Sequence, residues 1–192
     1  MKCRQFLRSA AASSAVVALL CWAPAQAAPV AAPAKAAPAK AVAAKPAGVK
    51  ASPYVLKSFD VYGKPISLTE HAGKSVLISF FTVDCIKCIN DLRLMREFYG
   101  DNKKRNYVNI AVSLDGDGVA LKEYMELLRK TIPPDRIFPI ASRGAKGHTD
   151  NFGAIKSMPT HFLLNREHQL VMRRDGIFKA DDWDELWTSL DE

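Results

Sequence analysis

Cys85-Ile86-Lys87-Cys88 sets two soft, redox-active side chains three positions apart. On a helix that spacing shares one face and is close enough for the sulfurs to bridge. The pair can serve thiol–disulfide exchange, close a structural disulfide, or supply half of a zinc site. Zinc wants two further ligands, and no second CxxC exists in the chain. The two remaining cysteines, Cys3 and Cys21, lie in the first 27 residues. The pair follows the apolar run Val76-Leu77-Ile78-Ser79-Phe80-Phe81 and opens a helical stretch. A thiol at the start of a helix faces unpaired backbone N–H groups and the positive end of the dipole, and both favour its thiolate.

Elements must hold that junction. Residues 75–82 form a near-continuous apolar strand, as buried strands are. Residues 86–99 carry apolar side chains in a helical rhythm that Gly100 closes. A second buried strand is expected over 107–114, a helix over 119–130 stopped by Pro133-Pro134, and a short strand over 136–140. Residues 160–164 and 170–174 read as a hairpin, and 181–190 as a last helix, with Trp183 and Trp187 packing into the core. An extended strand over 54–61 comes first, followed by a turn at Gly63-Lys64-Pro65. The order predicts an α/β domain with a mixed sheet and helices on both faces. His148, beside Gly147, is expected at a helix start, and His71 and His168 in turns.

The first 52 residues read differently. Lys2, Arg4 and Arg8 head a short apolar stretch that ends at Ala25-Gln26-Ala27, the pattern of an export signal over residues 1–27. A retained anchor is the alternative, and Cys21 raises a lipid-modified one. Residues 28–52 are rich in Ala, Pro and Lys and cannot form a core. They serve as a spacer, or as a tether reaching on the order of 70 Å. The globular domain is then 53–192, in an oxidising, periplasmic or envelope compartment where disulfides persist. Three of the 27 basic residues lie in the leader and four in the arm, which leaves 20 against the 20 acids. The globular part is neutral, so the overall charge of +7 is no argument for nucleic-acid binding.

The order of elements, the CxxC at the first strand–helix junction and Met158-Pro159-Thr160 before the penultimate strand resemble the thioredoxin superfamily. The segment Phe59-Asp60-Val61-Tyr62-Gly63-Lys64-Pro65-Ile66-Ser67-Leu68, followed by Gly73-Lys74, looks like the TlpA/ResA-like exported thiol-disulfide oxidoreductases, a likeness running over residues 54–190. The resemblance implies a thioredoxin fold with an N-terminal β extension. It also implies an accessible nucleophile at Cys85, a shielded resolving thiol at Cys88, and a cis-proline at Pro159 that binds substrate together with Met158 and Thr160. Clients would be disulfide-bearing exported proteins, and a membrane thiol donor would restore the dithiol. A reductant role is favoured over an oxidant one. No cofactor is expected.

The chain departs from the family pattern at three places. Asp84 precedes the first cysteine and disfavours its thiolate by like-charge repulsion, whereas Lys87, where proline is common, favours it. Ser79 stands on the strand where thioredoxin itself has a buried acid. Thr82-Val83-Asp84-Cys85 echoes the Thr-x-x-Cys of AhpC/TSA-type thiol peroxidases, with Ile78 where they have proline. A third reading makes Cys85, Cys88 and His161 ligands of a Sco-like copper module, with Met158 as an added thioether.

Overall fold

The computed structural model describes residues 53–116 and 118–191. The expected leader (1–27) and arm (28–52) lie outside the described residues. Eleven elements follow in order: β1 Leu56–Phe59, β2 Pro65–Ser67, β3 Ser75–Phe81, α1 Ile86–Asn102, β4 Tyr107–Ser113, α2 Gly118–Thr131, β5 Ile140–Ser142, β6 Thr149–Asp150, β7 Thr160–Leu164, β8 Leu170–Asp175 and α3 Ala180–Asp191. Single 3-10 turns lie at Leu68–His71 and Pro134–Arg136.

Every residue of β3, β4 and β7 is buried, which is why these strands are continuous apolar runs in sequence. They form the middle of a five-stranded sheet in the order β5-β4-β3-β7-β8. β3 pairs parallel with β4 and antiparallel with β7, and the β7–β8 hairpin is the expected one. Alternation along β3 divides the core. Leu77 and Phe81 point to one face, where they meet Cys88, Leu92 and Met95 of α1, Leu121 and Met125 of α2, and Leu186 of α3. Val76, Ile78 and Phe80 point to the other, beside Phe162 of β7, where Leu56, Ile66, Leu68 and Phe152 cover them. Each such side chain fully buried contributes about 1.5–3 kcal/mol.

The three helices therefore bury their apolar stripes in one cluster, not on both sheet faces as the element order suggested. The second face is closed by a small antiparallel sheet, β2-β1-β6, and by the rings of Tyr54 and Phe152, which pack on Phe162. A polar staple fixes this layer. Ser58 of β1 donates to the Ser142 carbonyl of β5 at 2.9 Å. His148 spans Ser58 (2.9 Å) and Asp150 (2.6 Å) with its two ring nitrogens. Arg143 adds a two-pronged grip on Asp150 at 2.8 and 2.9 Å. His148 thus enters β6, not a helix, because Gly147 at φ +86° turns the chain there.

Two further expectations are corrected. Gly100 does not end α1, which runs on to Asn102. A Cβ there would stand 2.7 Å from Cγ of Arg136, so this glycine makes room for that side chain. Trp187 is not core: it is 42% exposed, edge-on to Phe98 and under the Arg105 guanidinium. Trp183 does pack against the helical core. Among the described residues no helix is long and apolar enough to cross a membrane.

Candidate active site

The register brings the distant motifs to one end of the sheet. β3 ends at Phe81, four residues before Cys85, and Phe80 pairs with Thr160, the first residue of β7. Met158-Pro159 therefore leads into β7 at the same end where the chain leaves β3 for the cysteines. The Met158–Pro159 peptide bond is cis. Pro159 is buried, its carbonyl accepting from the Gly176 N–H at 2.7 Å, while Met158 is 41% exposed. Thr160 is buried and donates to the Ser157 carbonyl at 2.7 Å.

Cys85 and Cys88 are joined by a disulfide, with an S–S length of 2.07 Å and Cα atoms 5.2 Å apart. Cys85 is the N-cap of α1, and its sulfur accepts from the Cys88 N–H at 3.2 Å. That is how a helix start holds a developing thiolate: one of its unpaired donors already points at the sulfur. The two sulfurs differ in access. Cys85 is half-buried, whereas Cys88 is fully buried within the helical core. A foreign sulfur can approach the first and not the second.

The turn before the pair is held by acids. Thr82 donates to Asp84 at 2.5 Å, which occupies the Thr82 hydroxyl with a carboxylate. Asp115, just past β4, takes the Val83 N–H on both oxygens at 3.3 Å and the Ser113 hydroxyl at 2.5 Å. Asp84 and Lys87 are both exposed, so each acts on the sulfur through a largely aqueous path. Asp115 was not singled out from sequence; an acid two residues past a fully buried strand was the available signal.

His161 and Ser79 are paired across β7 and β3 and face the helical side of the sheet. The ring is fully buried, with Nδ1 3.0 Å from the Ser79 hydroxyl and the ring edge-on to Phe178. Nε2 stands 3.3 Å from Oδ2 of Asp91, off the line a hydrogen bond requires, so it is close to the carboxylate without being bonded to it. Both ring nitrogens thus face the core. Among the described residues no three His, Cys, Asp or Glu side chains group to hold a metal ion, and the copper set of Cys85, Cys88 and His161 is not assembled. Asp91 was also missed from sequence. Its signal was an acid in the apolar stripe of α1, one turn after Cys88 and one before Met95.

Comparison with known proteins agrees with this geometry. The AhpC/TSA family model matches residues 43–173, more than half of the chain. The thiol-disulfide oxidoreductase ResA of Bacillus thuringiensis subsp. konkukian is 26% identical over 117 residues, covering 61% of this chain and 64% of the relative. The ResA of Oceanobacillus iheyensis is 25% identical over 124 residues, covering 65% and 61%. The chain thus spans a little under two thirds of the length of these curated relatives. Among solved structures, a thiol:disulfide interchange protein of the thioredoxin family from Chlorobium tepidum superposes with a TM-score of 0.58 at 21% identity, over 74% of this chain and 99% of that one. StoA from Bacillus subtilis superposes with a TM-score of 0.52 at 22% identity, over 72% and 98%. The chain belongs to the AhpC/TSA family, has the fold of the thioredoxin-family structures it superposes on, and is similar to the ResA thiol-disulfide oxidoreductases.

Proposed function

We propose that the protein is an exported thiol–disulfide oxidoreductase whose working group is the Cys85–Cys88 pair. The observation that carries this is the unequal access of two joined sulfurs, one half-exposed at a helix N-cap and one fully buried. In the dithiol form, the Cys85 thiolate attacks a client disulfide. One client sulfur leaves, and a mixed disulfide forms. Cys88 then attacks Cys85, re-forming the internal disulfide and releasing the second client sulfur. Electron pairs pass from protein to client, and a donor dithiol reverses the internal step. Clients are exported proteins with accessible disulfides, and a membrane thiol donor fits the relatives named as thiol-disulfide oxidoreductases. Met158, Pro159 and Thr160, at the same sheet end as the pair, are the client-binding positions.

The pattern of residues 1–27 supports a periplasmic or envelope location, with residues 28–52 as spacer and 53–192 as the working domain. A reductant direction is preferred. Turnover of insulin disulfides with dithiothreitol as donor tests the reaction: wild type turns over, Cys85→Ala and Cys88→Ala do not. A protein that instead consumes hydrogen peroxide at the expense of a thiol, leaving insulin intact, belongs to the peroxidase reading. Equilibration with glutathione tests direction. A potential near ~−270 mV marks a reductant, and one near ~−120 mV an oxidant.

A further inference from the structure

The ladder between β3 and β4 ends just short of the cysteines. Its parallel register pairs Phe81 with Ser113, and the last backbone rung runs from the Leu114 N–H to the Phe81 carbonyl at 2.8 Å. Bonds in a parallel ladder are evenly spaced, so the Val83 N–H is the next donor in line. It meets a side chain instead of a strand. Asp115 lies two residues past Ser113, as Val83 lies two past Phe81, and its carboxylate accepts that N–H on both oxygens at 3.3 Å.

The carboxylate is itself held. The Ser113 hydroxyl donates to Oδ2 at 2.5 Å and accepts the Asp115 N–H at 3.1 Å. Ser113 is fully buried, so this small ring of bonds is anchored in the sheet. The segment it grips is short: Thr82, Val83 and Asp84 join the last residue of β3 to Cys85. Two further bonds lie inside the segment and travel with it. One runs from the Cys85 N–H to the Thr82 carbonyl at 3.3 Å, the other from the Thr82 hydroxyl to Asp84 at 2.5 Å. Asp115 ties the segment to the sheet from outside, and the Val83 side chain packs against the helical core.

The two sulfurs are therefore placed by different means. Cys88 lies inside α1 and is fixed by the core around it. Cys85 is the N-cap, outside the helix proper, and follows the segment that leads to it. Joining two groups is favoured by how closely each is already held where the other needs it. We propose that Asp115 is a positioning residue for the exchange, which keeps Cys85 within reach of Cys88 after the internal bond has opened; this rests on the thiol–disulfide reading above. The step it favours is resolution. In the mixed disulfide the Cys88 thiolate bonds to the Cys85 sulfur, the bond between Cys85 and the client sulfur breaks, and the client sulfur leaves as a thiolate with the electron pair. The first attack needs only an accessible Cys85 and does not depend on the clamp.

The test is the equilibrium of the Cys85–Cys88 disulfide with glutathione in the full chain. Asp115→Ala is expected to favour the dithiol by roughly tenfold, as loosening a held pair does, which is about 30 mV toward an oxidant. Asp115→Asn keeps an oxygen for the Val83 N–H and is expected to stay within about twofold of wild type. Equal shifts in the two variants show an effect of charge alone and overturn the proposal. A lowered melting temperature in Asp115→Ala with an unchanged equilibrium shows a merely structural role and overturns it too. In rapid mixing, Asp115→Ala is expected to slow the resolution of a mixed disulfide with glutathione while alkylation of Cys85 keeps its wild-type rate; equal slowing of both steps counts against the clamp. Should Asp115→Ala not fold, hydrogen exchange of the Val83 amide in wild type decides. Protection in both redox states supports the clamp, and exchange as fast as an unstructured amide in either state overturns it. If wild type turns over no client disulfide while Asp115→Ala alone still shifts the glutathione equilibrium, the functional reading fails and the positioning stands.

Discussion

At the residue scale the chemistry rests on where two sulfurs sit relative to one helix end. Cys85 caps α1 and takes an N–H at 3.2 Å, which stabilises the thiolate that attack requires. Asp84 acts against it. Asp84→Asn is expected to move the Cys85 thiolate absorbance transition to lower pH, because a negative neighbour is removed. The shift is a fraction of a pH unit, since Asp84 is exposed and its oxygen is engaged by Thr82. An unchanged or raised transition counts against that electrostatic role. Lys87→Ala is expected to move the same transition the opposite way.

At the element scale the site depends on a sheet whose second face is closed by β1, β2 and β6 in place of helices. Burial alone would push the Asp150 carboxyl up, but the hydrogen bonds from His148 and Arg143 outweigh it and hold the group below its ordinary value. A carboxyl held lower in the folded state stabilises the fold above its unfolded value of about 3.9, and that stability is lost as pH falls through the folded value. Thermal melting of wild type is thus expected to weaken below about pH 4. Asp150→Asn is expected to cost about 1–3 kcal/mol at neutral pH and to flatten that acid limb. A melting temperature equal to wild type at pH 7 contradicts the staple.

This is also where sequence and structure parted. β3, β4, α1 and the β7–β8 hairpin were legible because period and burial agree in them: continuous apolar runs for central strands, a 3.6-residue rhythm for the helix. Two-residue β6 and three-residue β2 have no period to read, and their existence depends on pairing with β1. Gly100 looked like a stop because its partner, Arg136, is remote in sequence. Cys85, Cys88 and Pro159 could be picked out as motifs. Asp91 and Asp115 could not, since they meet groups remote in sequence, Phe178 and His161 for the first and Val83 for the second.

At the scale of the whole molecule, a neutral globular domain carries one disulfide with one accessible sulfur. The expected leader and arm, residues 1–52, together hold the sequence's excess positive charge, and residues 53–192 have none. Exchange with an uncharged disulfide is therefore expected to change less than about twofold between 50 and 500 mM salt, since screening acts on charge pairs that are absent here. A tenfold fall would mean that charged surface steers the client.

The most direct measurement is covalent trapping. Cys88→Ala, mixed with a disulfide-bearing client, is expected to accumulate a mixed disulfide that intact-mass and peptide analysis assign to Cys85, while Cys85→Ala accumulates none. If Cys88→Ala turns the client over as fast as wild type, or if the trapped bond is found on Cys88 in the Cys85→Ala protein, the division of labour between the two sulfurs is wrong and the account with it.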